Sequence, residues 1–311
     1  MRLSTLYMYQ NSINSMSKAV SNNSDIYARL SAGRTLLKPS DDPAGASQSI
    51  MQQSAFDNMT RFDTARMSAQ DALGQEDNAL TSIGNLLTKN LSEKIVAGGN
   101  GAYSDADRAA LATELQGIRD NLVDLANSKN SNGRYIFSGY KTGTQPFNKA
   151  DGAYVGGDTA LTQVIADSTE MQVGHTGKDV FMSGSSDDLF VALDKAINAL
   201  KQPISESSDP EAARQALQNT LDSVNISVKK GIDNLGKIQA EVGTNLQQIE
   251  SLSFSSDTQK MNLTTQWQRT VGADENATYT LISSAKMSDF AVNSSMLVFQ
   301  AMQKMSIFNM V

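Results

Sequence analysis

The stretch LSAGRTLLKPSDDPAG, residues 30–45, separates two long helical patterns near the start of the chain. Gly33 can take the left-handed conformation that ends a helix, and Pro39 disfavours helix at the residue before it. Asp42 is a good N-cap for a new helix, with Pro43 in its first position. The stretch therefore predicts a helix end, a turn and a helix start.

The adjacent carboxylates Asp41 and Asp42 allow a second interpretation, as part of a metal site or an acid/base pair. No second acidic cluster and no histidine lies nearby in the sequence. Because capping already explains the spacing, we favour capping and turn chemistry over a reactive site.

Composition excludes several functional classes. The 311 residues contain no cysteine, which excludes a disulfide scaffold, thiol catalysis and thiolate metal sites. His175 is the only histidine, so a cluster of histidines around a metal is excluded too, and its Gly-flanked surroundings predict a surface turn. We found no phosphate-binding or dinucleotide-binding motif and no convergent nucleophile, base and acid. The expectation is a protein that is not an enzyme and binds no cofactor or metal.

Charge and hydropathy limit the partners. The net charge of −7 argues against a nucleic-acid binder, although residues 1–38 carry five basic side chains and only one acidic one. This basic stretch is either a set of solvated helix charges or a basic arm that pairs with an acidic partner or helps export. No apolar run is long enough to span a membrane, and Met1 to Val20 lack the apolar core of a signal peptide. If the protein is extracellular, we expect export without cleavage of a signal peptide.

Both ends of the chain carry amphipathic helical patterns that are predicted to pair with each other. Near the N-terminus the predicted seam recurs every seven positions, at Leu6, Ile13, Val20 and Tyr27. A second row, Tyr9, Met16 and Leu30, lies three residues after Leu6, Ile13 and Tyr27. Near the C-terminus the predicted seam contains Ala291, Val298, Ala301, Met305 and Phe308. Tyr9, Phe290 and Leu297 remain as further apolar surface, which we expect another copy of the chain or another protein to cover.

The middle of the chain contains two kinds of pattern. Helical rows precede residue 133 and follow residue 187, and the longest has a strict alternation of four and three residues. It comprises Leu217, Leu221, Val224, Val228, Gly231, Leu235, Ile238, Val242, Asn245, Ile249 and Leu252. Between the helical regions, short alternating runs and glycine-rich turns predict a small insert of β-strands.

This order predicts a mainly α fold. The N- and C-terminal regions form a long antiparallel helical bundle or coiled coil, and a small β-rich insert lies in mid-chain. We divide the chain into a terminal helical pair that mediates polymerisation (1–40 with 272–311), a helical bundle (41–133 with 187–271) and an outer β-rich insert (134–186).

Two segments resemble the flagellin superfamily. Residues 30–45 are similar to its N-terminal signature, and the version with Pro39 and Pro43 around the aspartates is more similar to members at the hook–filament junction than to filament-forming flagellins. The matching positions are Leu30, Gly33, Arg34, Pro39, Asp41, Asp42, Pro43 and Gly45. The second segment, 134–147, resembles the entry to the outer domain of junction members through Tyr135, Phe137 and Gly139.

The resemblance implies a structural role in the bacterial flagellum: self-assembly through the terminal helices, joining hook to filament, with a short flagellin as the alternative. It also implies that residues 1 to about 35 and about 275 to 311 order only on assembly. The implied partners are further copies of the chain, hook-associated protein 1, flagellin or the filament cap, and an export chaperone. The implied route is the flagellar type III apparatus and the implied location extracellular.

An enzyme or ligand-binding module in residues 134–186 is the competing class.

Overall fold

The computed structural model describes the backbone of residues 2–308 and the side chains of residues 7–304. Long helices dominate and a short hairpin lies in mid-chain, so the mainly α fold with a small β element is confirmed. The helices are α1 (Arg2–Ala32), α2 (Pro43–Asn85), a π-helical segment (Leu86–Leu91), α3 (Ser92–Gly98), α4 (Asp105–Ala126), α5 (Gly177–Phe181), α6 (Leu189–Lys201), α7 (Pro210–Val271) and α8 (Glu275–Phe308). The strands are β1 (Thr162–Ala166) and β2 (Thr169–Gln172).

The chain packs as two compact units. Met1–Thr60 and Ser256–Val311 form the terminal unit, and Arg61–Ser255 form the central unit. Helices α2 and α7 each contribute residues to both units. The three-part division drawn from the sequence stays a prediction.

The apolar row of α7 forms much of the core of the central unit. Its members Leu221, Val224, Val228, Leu235, Ile238, Val242 and Ile249 are buried. Gly231 and Asn245 are the two members of the row without a large apolar side chain, and each has a structural reason. A Cβ on Gly231 would lie 2.7 Å from Leu189 Cδ2, so the glycine makes room for that leucine. Asn245 Nδ2 donates to the Gln172 carbonyl at 3.1 Å, which ties α7 to the end of β2.

The mid-chain insert has less strand than its pattern predicts. β1 and β2 pair antiparallel, with Thr162 opposite Gln172 and a bulge between Val164 and Ala166. Aromatic rings supply the largest buried side chains of the insert. The ring of Phe147 lies 5.1–5.2 Å from those of Tyr154, Phe181 and Phe190, and Phe137 meets Phe181 at 6.0 Å. The insert is therefore organised around buried rings more than around a sheet.

Within the residues that the structure describes, no helix has the length and apolar character needed to cross a membrane.

Candidate assembly site

The signature stretch ends α1 as its glycine predicts. Gly33 has a φ of +65°. Its N–H donates to the Leu30 carbonyl at 3.2 Å, and the Arg34 N–H donates to the Arg29 carbonyl at 3.2 Å. These two bonds make a Schellman motif, which satisfies the last carbonyls of the helix. Leu30 and Arg34 therefore contribute backbone groups to the helix end.

Asp41 organises the turn that follows. One oxygen of its carboxylate accepts from the N–H groups of Leu37 at 3.2 Å and Lys38 at 3.0 Å, and the other lies 3.4 Å from the Arg29 guanidinium. The pKa of Asp41 is lowered, chiefly by the Lys38 N–H, with a further contribution from the charge of Arg29. The side chain holds the loop in shape around exposed Pro39, which is a structural role.

Asp42 begins the next helix. Its Oδ1 accepts from the Ala44 N–H at 3.1 Å, its carbonyl accepts from Ala46, and Pro43 is the first residue of α2. Gly45 is buried, and a Cβ on it would collide with the Asp42 carboxylate. The Asp-Pro-Ala-Gly part of the signature is thus one cap, in which glycine leaves space for the carboxylate of the capping aspartate.

The same loop docks on the turn between α7 and α8. The Leu36 N–H donates to the Val271 carbonyl at 3.0 Å, and the Thr35 N–H lies 3.1 Å from the carbonyls of Val271 and Gly272. Thr35 Oγ1 also donates to Val271 at 3.2 Å. Gly272 has a φ of +63° and ends α7 in a second Schellman motif. Sequence reasoning missed Thr35, because its partners lie 236 residues away.

Helices α1 and α8 pack together, as predicted, but along a different row. The rings of Tyr9 and Phe299 lie 5.6 Å apart, and Asp289 accepts from Asn23 and Tyr27 at 2.8 Å each. The buried or half-buried row of α8 is Leu281, Ala285, Ser288, Val292, Ser295, Phe299 and Met302, and that of α1 includes Tyr9, Ser12, Met16, Ala19, Asn23, Ile26 and Leu30.

The buried row lies one residue from the predicted heptad row over most of its length, whereas the second predicted row of α1, Tyr9, Met16 and Leu30, is half-buried. Ile13 is half-buried, whereas Val20, Tyr27, Ala291, Val298 and Ala301 are exposed. The side chains of Leu6, Met305 and Phe308 lie outside the described residues. Adjacent apolar and small residues let a heptad row be drawn along either of two neighbouring stripes, and the sequence alone does not say which stripe meets the partner helix.

An apolar stripe on α8 remains exposed. It consists of Met287, Phe290, Leu297 and Val298, which we call the outer stripe. Phe290 is 75% exposed and Leu297 is 67% exposed, so most of each side chain contacts solvent. Tyr9, expected on this surface, instead packs on Phe299. Contiguous exposed apolar side chains of this kind are typical of a protein–protein contact.

The predicted entry to the insert consists of packed structural residues. Tyr135 pairs with Lys129 in an isolated β-bridge, and the Lys129 ammonium lies 4.6 Å above its ring. Phe137 is fully buried in the aromatic cluster. Gly139 has a φ of +57°, and a Cβ on it would lie 2.8 Å from the Gly157 carbonyl oxygen. The segment anchors the insert.

His175 is buried, so its predicted surface position is wrong. Its ring lies between Glu76 of α2 and Glu241 of α7. Burial disfavours the charged ring, but the hydrogen bonds and charges of Glu76 and Glu241 outweigh that effect and raise the pKa of His175 above 6.5. Both glutamates lie far from His175 in sequence, which is why the sequence did not reveal this group. Among the described residues, no cluster of three or more histidine or acidic groups has the arrangement of a metal site.

Comparison with known proteins identifies the family. A profile of the bacterial flagellin N-terminal helical region matches residues 3–142. Flagellar hook-associated protein 3 of Escherichia coli K12 is 37% identical over 322 aligned positions, which cover 100% of this chain and 99% of that protein. The protein of the same name from Salmonella typhimurium LT2 is 36% identical with the same coverage.

A solved structure agrees with this relationship. The crystal structure of the flagellar junction protein FlgL from Legionella pneumophila covers 72% of this chain and 99% of its own, at 20% identity and a TM-score of 0.57. At that identity the likeness establishes a common fold, while the full-length sequence matches establish the relationship. The sequence match extends over the full length of both chains, and the capped signature loop and paired terminal helices agree with it. The chain therefore belongs to the flagellar hook-associated protein 3 family.

Proposed function

We propose that this protein is a structural component of the bacterial flagellum that joins the hook to the filament. The observation that carries the proposal is the 37% identity to a flagellar hook-associated protein 3 along the whole length of both chains. The similarity of fold to a flagellar junction protein supports it. A junction component needs contact surfaces and no reactive groups. In agreement with this, the signature residues of this chain cap helices and hold turns.

The terminal unit is the assembly region in this proposal. Its outer stripe on α8 leaves apolar side chains on the surface after α1 and α8 have paired. Burial of such side chains by neighbouring copies would stabilise a ring or helical layer, since the hydrophobic effect contributes about 25 cal/mol per Å². Hook-associated protein 1 is the proposed partner on the hook side, and flagellin or the filament cap on the other. An export chaperone is proposed to bind before secretion through the type III route.

The protein has no catalytic role in this proposal. The support is that its relatives are named flagellar hook-associated proteins and that its buried charged groups pair within the fold. Asp41 and Asp42, the best acidic candidates, use their carboxylates as backbone acceptors.

Deletion of the gene in a motile bacterium that carries it tests the junction role. We expect hooks without filaments in electron micrographs, together with flagellin released into the medium, and recovery when the gene is restored. Loss of filaments without released flagellin would favour the filament subunit instead. Filaments of normal length would contradict both roles.

A further inference from the structure

Three titratable side chains from three separate elements meet inside the central unit. Glu76 lies on α2, His175 follows β2, and Glu241 lies on α7. Glu76 Oε1 accepts from the backbone N–H of His175 at 2.8 Å and lies 3.0 Å from its Nδ1. The other ring nitrogen, Nε2, lies 3.2 Å from Glu241 Oε2. The imidazole therefore connects two long helices to the end of the hairpin.

The charge of this group depends on one proton. Glu76 is fully buried, and its Oε2 has no hydrogen-bond partner among the described residues. A buried carboxylate without a counter-charge is strongly destabilising, and the imidazolium is the cation in direct contact with it. Glu241, by contrast, has a 66% exposed side chain, so water solvates it.

Loss of the proton removes a hydrogen-bond donor as well as the charge. An imidazolium donates from both nitrogens, whereas a neutral imidazole donates from only one. Each ring nitrogen of His175 faces a carboxylate oxygen. In the neutral ring, the nitrogen without a proton is an acceptor, so its contact with the glutamate oxygen is no longer a hydrogen bond. The buried Glu76 then also lacks its counter-ion.

We propose that Glu76, His175 and Glu241 form a proton-dependent clamp, which holds the end of the β1–β2 hairpin against α2 and α7 while His175 is protonated and loosens when His175 loses that proton. The ligand that controls the clamp is therefore a proton. The proposal does not depend on the flagellar role.

Three further charged residues of the central unit lie in or beside the cavities that the clamp residues line. Glu170 of β2 lines the same surface cavity as His175 and Glu241, and it adds negative potential that favours the protonated ring. Arg134 lines a neighbouring cavity together with Glu76, and its charge opposes protonation of the ring. Lys237 lies one helical turn before Glu241 on α7 and acts in the same direction as Arg134.

The direction of the pH effect follows from linkage. The folded-state pKa of His175 is raised above its ordinary value of 6.5. The clamp's contribution is therefore fully present below about pH 6.5 and is lost as the pH rises through the folded-state pKa. Each unit by which the folded pKa exceeds about 6.5 corresponds to a tenfold change in the opening equilibrium.

Because the chain has one histidine, a full-length protein labelled with ¹⁵N-histidine gives a single set of ring signals. We expect these signals to titrate above pH 6.5, with both ring nitrogens protonated at lower pH. The His175 amide donates to Glu76. We expect its hydrogen-exchange protection, corrected for the intrinsic exchange rate, to fall as the pH rises above about 6.5 through the pKa that the ring signals give. A ring pKa at or below about 6.5 would overturn the proposal.

Three variants separate the clamp from general stability. His175→Gln removes the titrating group, and its amide protection is expected to be independent of pH over this range. If that variant does not fold, Glu241→Gln, which alters only the exposed partner, is expected to lower the ring pKa. Glu170→Gln is the matched control: it lines the same cavity, but its carboxylate accepts from Thr162. Equal shifts in Glu241→Gln and Glu170→Gln would contradict a direct clamp.

Discussion

At the scale of single residues, two glycines have the same backbone role, ending a helix, but lie in different surroundings. Gly33 and Gly272 both have positive φ and both end a helix in a Schellman motif. No atom lies within 4 Å of a Cβ built on Gly33, whereas one on Gly272 would collide with the Thr35 side chain. The first position needs glycine for its conformation alone, and the second also needs it for space.

Alanine at each position measures this difference. We expect Gly33→Ala to destabilise the terminal unit by about 1 kcal/mol, the cost of a left-handed non-glycine residue. Gly272→Ala should cost about 2 kcal/mol or more, because the new methyl group also displaces Thr35. Amide exchange in assembled protein, where α1 and α8 are expected to be ordered, checks both values. The double variant Thr35→Ala with Gly272→Ala should lose less than the sum of the single changes, and strict additivity would contradict the steric explanation.

At the scale of elements, a polar contact accompanies the apolar row between α1 and α8. The carboxylate of Asp289 accepts from Tyr27 and Asn23. These bonds, with Tyr27 the larger contributor, lower the pKa of Asp289. A depressed pKa contributes stability above the unfolded value of about 3.9 and loses it as the pH falls through the folded value.

We therefore expect acid to weaken the helix pair. In assembled protein, amide protection in α1 and α8 should fall below about pH 4 in the wild type. Asp289→Asn should be less protected at pH 6 and should lack this acid step. Tyr27→Phe, which removes the largest cause of the shift, should move the step to higher pH. An acid step in Asp289→Asn that matches the wild type would contradict this account.

The free chain should behave differently from the assembled one. The polar and small residues of α1 give it weak intrinsic helicity, and an isolated helix pair gains little from a narrow apolar row. We expect weak amide protection in α1 and α8 of dilute monomer and strong protection after assembly. Strong protection of both helices in the monomer would contradict ordering on assembly.

The insert depends on one aromatic ring more than on its strands. Phe147 is fully buried and contacts three other rings of the cluster. Phe147→Ala should destabilise the central unit by about 3–5 kcal/mol, because it leaves a cavity among those rings. Tyr140→Ala, a control at a 57% exposed aromatic side chain, should cost less than about 1 kcal/mol. Urea unfolding followed by circular dichroism checks both, and similar losses would contradict the packing argument.

At the scale of the whole molecule, the outer stripe separates folding from assembly. Phe290 and Leu297 are mostly exposed, so their replacement by serine should leave the stability of the monomer within about 0.5 kcal/mol. The same double variant should fail to restore filaments in the deletion strain. Ile226→Ser, at a 55% exposed apolar residue of the central unit, is the matched control and should restore them. As a control for export, the double serine variant must be secreted in the same amount as the wild type. Restored filaments in that variant would contradict an assembly role for the stripe.

Local chemistry was enough to predict the long helices and several of their ends. Gly33, Asp42 and Pro43 act on neighbours within a few residues, so their capping roles follow from local chemistry alone. The buried row of α7 is predictable from the sequence for the same reason, because a helix presents every third or fourth residue on one face. The family signature belongs to the same class of local information.

Which stripe is buried, and which groups the isolated polar residues contact, depend instead on how the elements pack together. The α1–α8 row lies one residue from its predicted position because the partner helix selects between adjacent stripes. His175 and Glu76 are 99 residues apart, and Thr35 and Val271 are 236 apart. Contacts over such separations depend on how the elements pack, and no periodicity within one element specifies that packing.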